Sequence, residues 1–161
     1  MPAANLRRYE NQRLEVVRKL EEAKARKLTI VYLDEIVFSK TTFPKRDFSN
    51  RGIHRQVNQK DLYITYKAAL AAISTKRGME KLSVYDAAVN TKRFETFVKA
   101  LHKKFYYRPF ALYMDQLNVH KSKKMQKVYK RLRILPIYNV AYSPELNPIE
   151  TCFCQVKLNF K

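Results

Sequence analysis

The chain has 161 residues, 46% of them hydrophobic, so it has enough apolar material to bury the core of one compact domain. Its 33 Lys and Arg residues against 14 Asp and Glu residues give a formal charge of +19, which favours polyanionic partners. Two cysteines exclude a disulfide framework and a four-cysteine zinc site, and no uncharged run reaches the roughly 18 residues of a membrane span, so we expect a soluble intracellular protein, nuclear if its organism is eukaryotic.

The first elements in chain order are a helix and a strand. Residues 5–27 predict an amphipathic helix whose apolar positions recur at helical spacing, namely Leu6, Tyr9, Val16, Leu20 and Ala23. Residues 28–38 are rich in β-branched and aromatic side chains and predict a buried strand that contains two acids, Asp34 and Glu35. Residues 40–60 are polar and basic and predict a turn followed by an irregular strand.

Two more strands and a helix follow. Residues 62–74 and 81–89 predict strands joined by a turn at Gly78, which would form an antiparallel meander with the first strand. Thr91 has the pattern of a helix N-cap, and the apolar residues behind it keep helical spacing: Phe94, Phe97, Val98, Leu101 and Phe105.

The last third of the chain predicts a strand at 109–114 that stops at Asp115, a helix at 122–132, a strand at 134–140 and a final helix. Asn147, Pro148 and Glu150 have the pattern of that helix's N-cap, first position and third position. The order of elements predicts an α/β fold in which a mixed five-stranded sheet has helices on both faces.

Three acids are candidate metal ligands: Asp34 in the first strand, Asp115 at the end of the fourth, and Glu150 in the first turn of the last helix. The first and fourth strands can lie side by side in this order, which would bring two carboxylates together beside a third from the helix. Such an all-oxygen site suits Mg²⁺ or Mn²⁺. Two ions roughly 4 Å apart would activate a nucleophile and stabilise the leaving oxygen at phosphorus.

Three blocks carry a resemblance to a known family. In chain order they are Tyr32-Leu33-Asp34-Glu35, then Met114-Asp115-Gln116-Leu117-Asn118-Val119-His120-Lys121-Ser122, then Tyr142-Ser143-Pro144-Glu145-Leu146-Asn147-Pro148-Ile149-Glu150. They resemble the catalytic blocks of the Tc1/mariner (IS630-like) DDE transposases, and the 34 residues between Asp115 and Glu150 match the spacing for which much of that superfamily is known. The family usually has Asn after its second Asp, where this chain has Gln116.

The resemblance implies an RNase H-like catalytic domain over residues 28–161, preceded by a helix or linker over residues 1–27. It implies that Asp34, Asp115 and Glu150 bind two Mg²⁺ or Mn²⁺ ions, with Glu35 as a neighbour. The activity implied is DNA strand cleavage and strand transfer in transposition, a form of DNA recombination and integration. The implied partners are double-stranded DNA of transposon ends and target, and a second copy of the chain in a homodimer.

Each acid also has a structural interpretation. Asp115 taken alone is typical of a turn that closes a strand, and Glu150 is typical of a capping box. A lone buried carboxylate is costly, so Asp34 is better explained by a site. Asp86 is a rival ligand without family-like surroundings and is interpreted as a surface residue. His120 is interpreted as a structural or phosphate-contacting residue rather than a metal ligand.

A basic helix follows the second acid, and no acid occurs from residue 116 through residue 144. A solvated face is the usual interpretation of such a run, but a run beside a phosphodiester site favours contact with the DNA backbone. The predicted DNA-binding residues are Lys121, Lys123, Lys124, Lys127, Lys130 and Arg131.

Two other functions stay open. One is a domesticated, non-catalytic DNA-binding or scaffold protein that retains the transposase fold. The other is an RNase H-like nuclease acting on RNA–DNA hybrids. Tc1/mariner transposases carry N-terminal helix-turn-helix modules, whereas one helix precedes the catalytic block here, so the chain is expected to be a fragment, a decayed copy or a recruited piece. A separate DNA-recognition subunit would then be a further partner.

Overall fold

The computed structural model describes residues 3–38, 66–140, 143 and 146–159, with side chains from residue 9 to residue 156 within those ranges. The predicted turn and strand at 40–60, and the first residues of the strand predicted at 62–74, lie outside the described residues. The described elements are α1 (Ala3–Ala25), β1 (Ile30–Phe38), β2 (Lys67–Ser74), β3 (Gly78–Tyr85), α2 (Thr91–Lys104), β4 (Ala111–Met114), α3 (Asn118–Lys121), α4 (Lys123–Arg131), β5 (Leu135–Tyr138) and α5 (Ile149–Asn159).

The five strands form one mixed sheet in the order β3-β2-β1-β4-β5. β1 pairs antiparallel with β2, and β2 pairs antiparallel with β3, as the predicted meander requires. β1 pairs parallel with β4, and β4 pairs parallel with β5. The α/β architecture predicted from the order of elements is therefore confirmed, including the side-by-side placement of the first and fourth strands.

Strand periodicity divides the core between the two faces of the sheet. On one face, Val31 and Leu33 of β1 pack with the apolar sides of α2 and α4. On the other face, Ile36 of β1 packs with α5, and Tyr113 of β4 packs with α1. All four residues of β4 are buried because helices cover both of its faces, which explains its unbroken apolar sequence.

Helix α2 shows how the apolar pattern becomes packing. Its predicted stripe is buried in one core cluster, and its members are Phe94, Phe97, Val98, Leu101 and, just past the helix, Phe105. Each large apolar side chain buried in this way contributes about 1.5–3 kcal/mol. The predicted N-cap was wrong by one position: Asn90 has extended backbone angles, and its side chain accepts the Arg93 N–H at 2.9 Å. Thr91 is instead the first helical residue.

The strand boundaries differ from those predicted at two places. β3 begins at Gly78 and ends at Tyr85, earlier than the predicted 81–89, because the turn is tight and Gly78 adopts a φ of 69°. β5 keeps only the four residues that pair with β4. None of the described helices is long and apolar enough to cross a bilayer.

Candidate active site

The parallel pairing of β1 and β4 places Asp34 beside Asp115. The register matches Ile30 with Ala111 and Tyr32 with Tyr113, and two further residues along each strand lead to the two acids. Side chains alternate between the faces, so Asp34 lies on the same face as Tyr32, which packs in the cluster that contains α5. The prediction that the first and fourth strands lie side by side is confirmed by this pairing.

Helix α5 brings the third acid. Ile149 and Phe153, one turn apart, are buried against Ile36 of β1 and two alanines of β2. This packing fixes the start of the helix over the strand that carries Asp34, and Glu150 is the second residue of α5. The carboxyl groups of Glu150 and Asp34 are close enough to hydrogen-bond.

The charge of this cluster acts on Asp34. The pKa of the Asp34 carboxyl is raised to about 7, chiefly by burial. The Glu35 N–H lowers the pKa, and the neighbouring carboxylates of Glu150 and Asp115 raise it. The half-buried Asp34 carboxyl is therefore poorly solvated and lies near two like charges. A bound cation would relieve both the repulsion and the poor solvation.

Two donors hold the Asp34 carboxylate. The Glu35 N–H donates to its Oδ1 at 2.7 Å. The Asn147 side-chain amide donates to its Oδ2 at 3.3 Å, with a longer 3.5 Å approach to the Leu33 carbonyl. The sequence prediction for Asn147 was a helix N-cap, and this was wrong: its side chain donates instead to the half-buried carboxylate of Asp34 on β1. Asn147 is 3% exposed, and its Oδ1 has no hydrogen-bond partner within the described ranges.

Asp115 is contacted by His120, which packs against α2. His120 of α3 is 1% exposed, and its Nδ1 lies 2.6 Å from Asp115 Oδ1, a close contact that lacks the alignment of a good hydrogen bond. The imidazole packs on the Phe94 ring with centroids 4.3 Å apart. Its burial favours the structural interpretation of His120 over the phosphate-contacting one, since a buried ring cannot reach a phosphate in solvent.

Glu35 lies on the α2 face, opposite to Asp34, because adjacent residues of a strand alternate. Burial raises the pKa of its carboxyl above the ordinary value, while the Val89 N–H and His120 act to lower it and Asp115 acts to raise it. Glu35 is thus a charged neighbour of Asp115 rather than of Asp34, and it ties the loop before α2 to the site.

A buried amide just after β5, that of Asn139, organises the segment that leads to α5. Asn139 accepts the Tyr113 hydroxyl and the Val140 N–H, each at 2.7 Å, and donates to the Ser143 carbonyl at 2.7 Å. The backbone carbonyl of Asn139 accepts a hydrogen bond from the Gln116 side-chain amide at 2.7 Å. Sequence reasoning missed Asn139, although a lone amide inside the apolar run 134–140 was the available signal.

Gln116 therefore has partners of its own. Besides Asn139 it donates to Gln12 of α1 at 3.3 Å and accepts from Lys121 at 2.5 Å. The longer side chain, in the place where the resembling family has Asn, links α1 to the loop after β4.

The donor chemistry of the three acids suits a hard divalent cation, and the partnerless oxygen of Asn147 adds a neutral ligand beside them. As placed, however, no three His, Cys, Asp or Glu side chains of the described part are close enough to hold one ion. Asp34 and Glu150 pair with each other, and Asp115 is drawn to His120. Side-chain rotation would have to exchange these contacts for contacts with metal.

Helix α4 carries five of the six predicted DNA-binding residues on its solvent side, and the sixth, Lys121, is the last residue of α3. Met125, Val128 and Tyr129 are buried, whereas all six predicted basic residues are exposed. Lys124 pairs with Glu95 at 2.6 Å, and this hydrogen bond and that of Lys99 lower the pKa of Glu95 to about 2. Within the described ranges no acid pairs with the four others on the helix, which are Lys123, Lys127, Lys130 and Arg131.

Comparison with known proteins now gives the class of this chain. Residues 29–161 match the model of a family described as the DDE superfamily endonucleases. No curated protein sequence matches. Since the match covers most of the chain, the chain belongs to the DDE superfamily endonucleases.

Solved structures place the fold more narrowly. The Mos1 transposase in a paired-end complex with the left transposon end superposes with a TM-score of 0.70 and 16% identity, over 95% of this chain and 48% of that one. The catalytic domain of Mos1 mariner transposase gives a TM-score of 0.65 and 15% identity, over 94% and 72%. The same domain with Raltegravir and Mn gives 0.67 and 13%, over 94% and 72%.

The predicted RNase H-like fold and the resemblance to Tc1/mariner transposases are thus confirmed. This chain spans about half the length of the Mos1 chain in the paired-end complex.

Proposed function

We propose that this chain is the catalytic part of a DNA transposase of the Tc1/mariner type, which cleaves DNA strands and joins them to a target. The observation that carries the proposal is the placement of Asp34 and Asp115 on neighbouring parallel strands with Glu150, at a helix start, beside Asp34. Membership of the DDE superfamily endonucleases supports the same chemistry.

The three carboxylates are proposed to bind divalent ions, Mg²⁺ or Mn²⁺, two in number. Ions of this kind supply a nucleophile activated near neutral pH and charge stabilisation at the leaving oxygen. Relatives of this fold have been solved with Mn and with Mg, which supports the choice of metal. The protein's own part is to hold the carboxylates: the Glu35 N–H and Asn147 orient Asp34, and His120 limits the motion of Asp115.

Duplex DNA, from transposon ends and from the target, is the proposed substrate. Complexes of Mos1 with transposon ends and its strand transfer complex support this choice. In this chain the exposed basic side chains that no described acid pairs lie on α4, which follows Asp115 after the short helix α3, and they supply the positive charge that a duplex backbone would contact. Assembly as a homodimer and a separate recognition subunit belong to the same proposal.

Metal-dependent nicking of a supercoiled plasmid tests the proposal. Asp34→Asn and Asp115→Asn should each remove nicking in Mn²⁺ while the folded protein still binds DNA. Asp86→Asn is the matched control, because Asp86 is an exposed acid paired with Lys67 and should nick like the parent.

The alternative of a non-catalytic DNA-binding protein makes the opposite prediction. It is favoured by the absence, in the described part, of three acidic side chains already placed around one ion. In that case the parent itself would bind DNA and never nick it in Mg²⁺ or Mn²⁺.

A further inference from the structure

Three helices end in the same backbone motif. α1, α2 and α4 each close with one N–H bonded to the carbonyl three residues back and the next N–H bonded to the carbonyl five residues back, at 2.9–3.3 Å. This is the Schellman motif, which needs a left-handed residue and usually has glycine there. In this chain the left-handed residues are Lys27, Tyr106 and Arg133.

The left-handed conformation is costly for these side chains. Lys27, Tyr106 and Arg133 each have a φ of 53°, and Tyr107 follows with 58°. A Cβ in this region crowds the neighbouring carbonyl, which glycine avoids. Strain that glycine would relieve points to a use for the side chains.

All four residues lie at one edge of the sheet, where the parallel strands β1, β4 and β5 begin. The β2–β3 turn joins them there, since β2 runs antiparallel to β1 and Ser74 pairs with Val31. Each of the four loops at this edge contributes an exposed Lys or Arg side chain. We call these residues the basic edge: Lys27, Lys76, Arg77, Arg108 and Arg133.

The basic edge has little compensating negative charge. The loops at 26–29, 75–77, 105–110 and 132–134 contain no acid. The neighbouring Glu80 is 2% exposed and already bonded to Ser74 and Arg77. Among the described residues, no acid pairs with Lys27, Arg108 or Arg133, so their charges are available to a polyanion.

Two tyrosines stand in the middle of these charges. Tyr106 is 79% exposed and Tyr107 is 67% exposed. The Tyr107 ring packs edge-on against the buried His102 at a centroid distance of 5.6 Å. The Tyr107 ring is therefore supported before any ligand arrives, which lowers the entropic cost of binding. Exposed aromatic rings among Lys and Arg side chains are the arrangement that binds unpaired nucleotides. The rings stack on the nucleobases, and the positive charges contact the phosphates.

The basic edge is distinct from the carboxylate site. β4, about 13 Å long at the rise of a strand, lies between Tyr107 and Asp115 in the chain. α3 and then α4 follow Asp115, and the last turn of α4 leads to Arg133. The basic side chains of α4 thus lie between Asp115 and Arg133 in the chain.

We propose that the basic edge is a second DNA-binding site, specific for unpaired nucleotides. Tyr106 and Tyr107 stack on bases, while Lys27, Arg108 and Arg133 contact the phosphates. The proposed function enters only in the choice of DNA as the nucleic acid.

A tryptophan reporter tests this site, because the chain contains no tryptophan. Tyr106→Trp is titrated with oligo-dT and with a hairpin duplex containing the same number of phosphates. Stacking should quench the reporter saturably with oligo-dT and much less with the duplex. The control reporter is Leu82→Trp on the exposed side of β3, which should show neither effect. Equal quenching by both DNA forms, or none by oligo-dT, would overturn the proposal.

A second variant separates binding from folding. Tyr106→Gly removes the ring and also relieves the left-handed strain, so it should melt at or above the parent's temperature while its affinity for oligo-dT falls roughly tenfold or more. Unchanged affinity would contradict the proposal.

A nicking assay on the same proteins distinguishes failure of the second site from failure of the proposed function. A parent that nicks DNA but whose Tyr106→Trp form ignores oligo-dT refutes the second site alone. A reporter that responds in a protein unable to nick supports the second site and refutes the catalytic proposal.

Discussion

The two ends of strands β1 and β4 carry opposite chemistry. Where β4 ends beside β1, Asp34 and Asp115 lie on neighbouring strands and Glu150 lies beside Asp34, and burial together with these like charges raises the pKa of Asp34 to about 7. At the amino ends, four loops present exposed Lys and Arg side chains and two exposed tyrosines, and these loops contain no acid. One short sheet therefore separates a site suited to cations from a surface suited to phosphates.

The comparison shows how strand direction sorts function. In parallel strands all carboxyl ends meet at one edge and all amino ends at the other, so residues distant in sequence are gathered by direction alone. Strain follows the same division: the four left-handed non-glycine residues of the described part lie at the amino ends.

The largest expected effect comes from Glu150. Glu150→Gln and Glu150→Ala should both lose nicking, because neither side chain replaces an anionic metal ligand. The Gln variant should melt at or slightly above the parent's temperature without metal, since repulsion of Asp34 is removed, and Mn²⁺ should no longer stabilise it. Thermal melts with and without Mn²⁺ measure this, with Glu15→Gln on exposed α1 as the control. A Gln variant that nicks normally would remove Glu150 from the site.

The next effect concerns pH. Since the folded state raises the pKa of Asp34 from 3.8 to about 7, its contribution to stability is fully present below pH about 4 and is lost as pH rises through 7. The loss is at most roughly 4 kcal/mol. In urea unfolding with EDTA present, the free energy of unfolding of Asp34→Asn should rise relative to that of the parent as pH increases from 4.5 to 8. A constant difference across that range would show that burial and the neighbouring carboxylates do not raise the pKa of Asp34.

A smaller effect is expected at α4. Replacing Lys123, Lys127 and Lys130 together with Gln should reduce the slope of log K against log salt for duplex DNA by roughly 2.7, at about 0.9 per phosphate contact. Lys124→Gln should change the slope less than any of these, because Glu95 already compensates its charge. An unchanged slope in the triple variant would show that α4 faces away from DNA.

The smallest effect is at the strained amino ends. Lys27→Gly and Arg133→Gly should each raise the free energy of unfolding by about 0.5–1 kcal/mol, because glycine is unstrained in the left-handed region. Gly78→Ala, where φ is 69°, should lower it by a similar amount. Urea unfolding curves of the three variants test the sign, and destabilisation by both glycines would indicate that their side chains stabilise the fold.

Much of the carboxylate site was predictable from local signals. An acid inside an apolar strand, an acid at a strand end and a helix-start pattern located Asp34, Asp115 and Glu150. The side chains that hydrogen-bond around these acids were not predictable, because their partners are distant in sequence. The local pattern predicts that Asn147 is a helix N-cap, but its side chain donates to Asp34. Asn139 forms hydrogen bonds with three segments.

The basic edge was less visible still. Lys27, Arg108 and Arg133 are far apart in sequence, and each belongs to an ordinary helix end. Their meeting depends on which strands run parallel, and their left-handed angles contradict the preference of Lys and Arg for other backbone conformations.

A crystal structure of this chain in Mn²⁺ tests the central claim most directly. We expect metal density bound by oxygens of Asp34, Asp115 and Glu150 together, at about 2.1 Å, with the Asp34–Glu150 pairing broken. Metal density elsewhere, or three carboxylates unmoved at saturating Mn²⁺, would contradict the claim that these residues form a catalytic metal site.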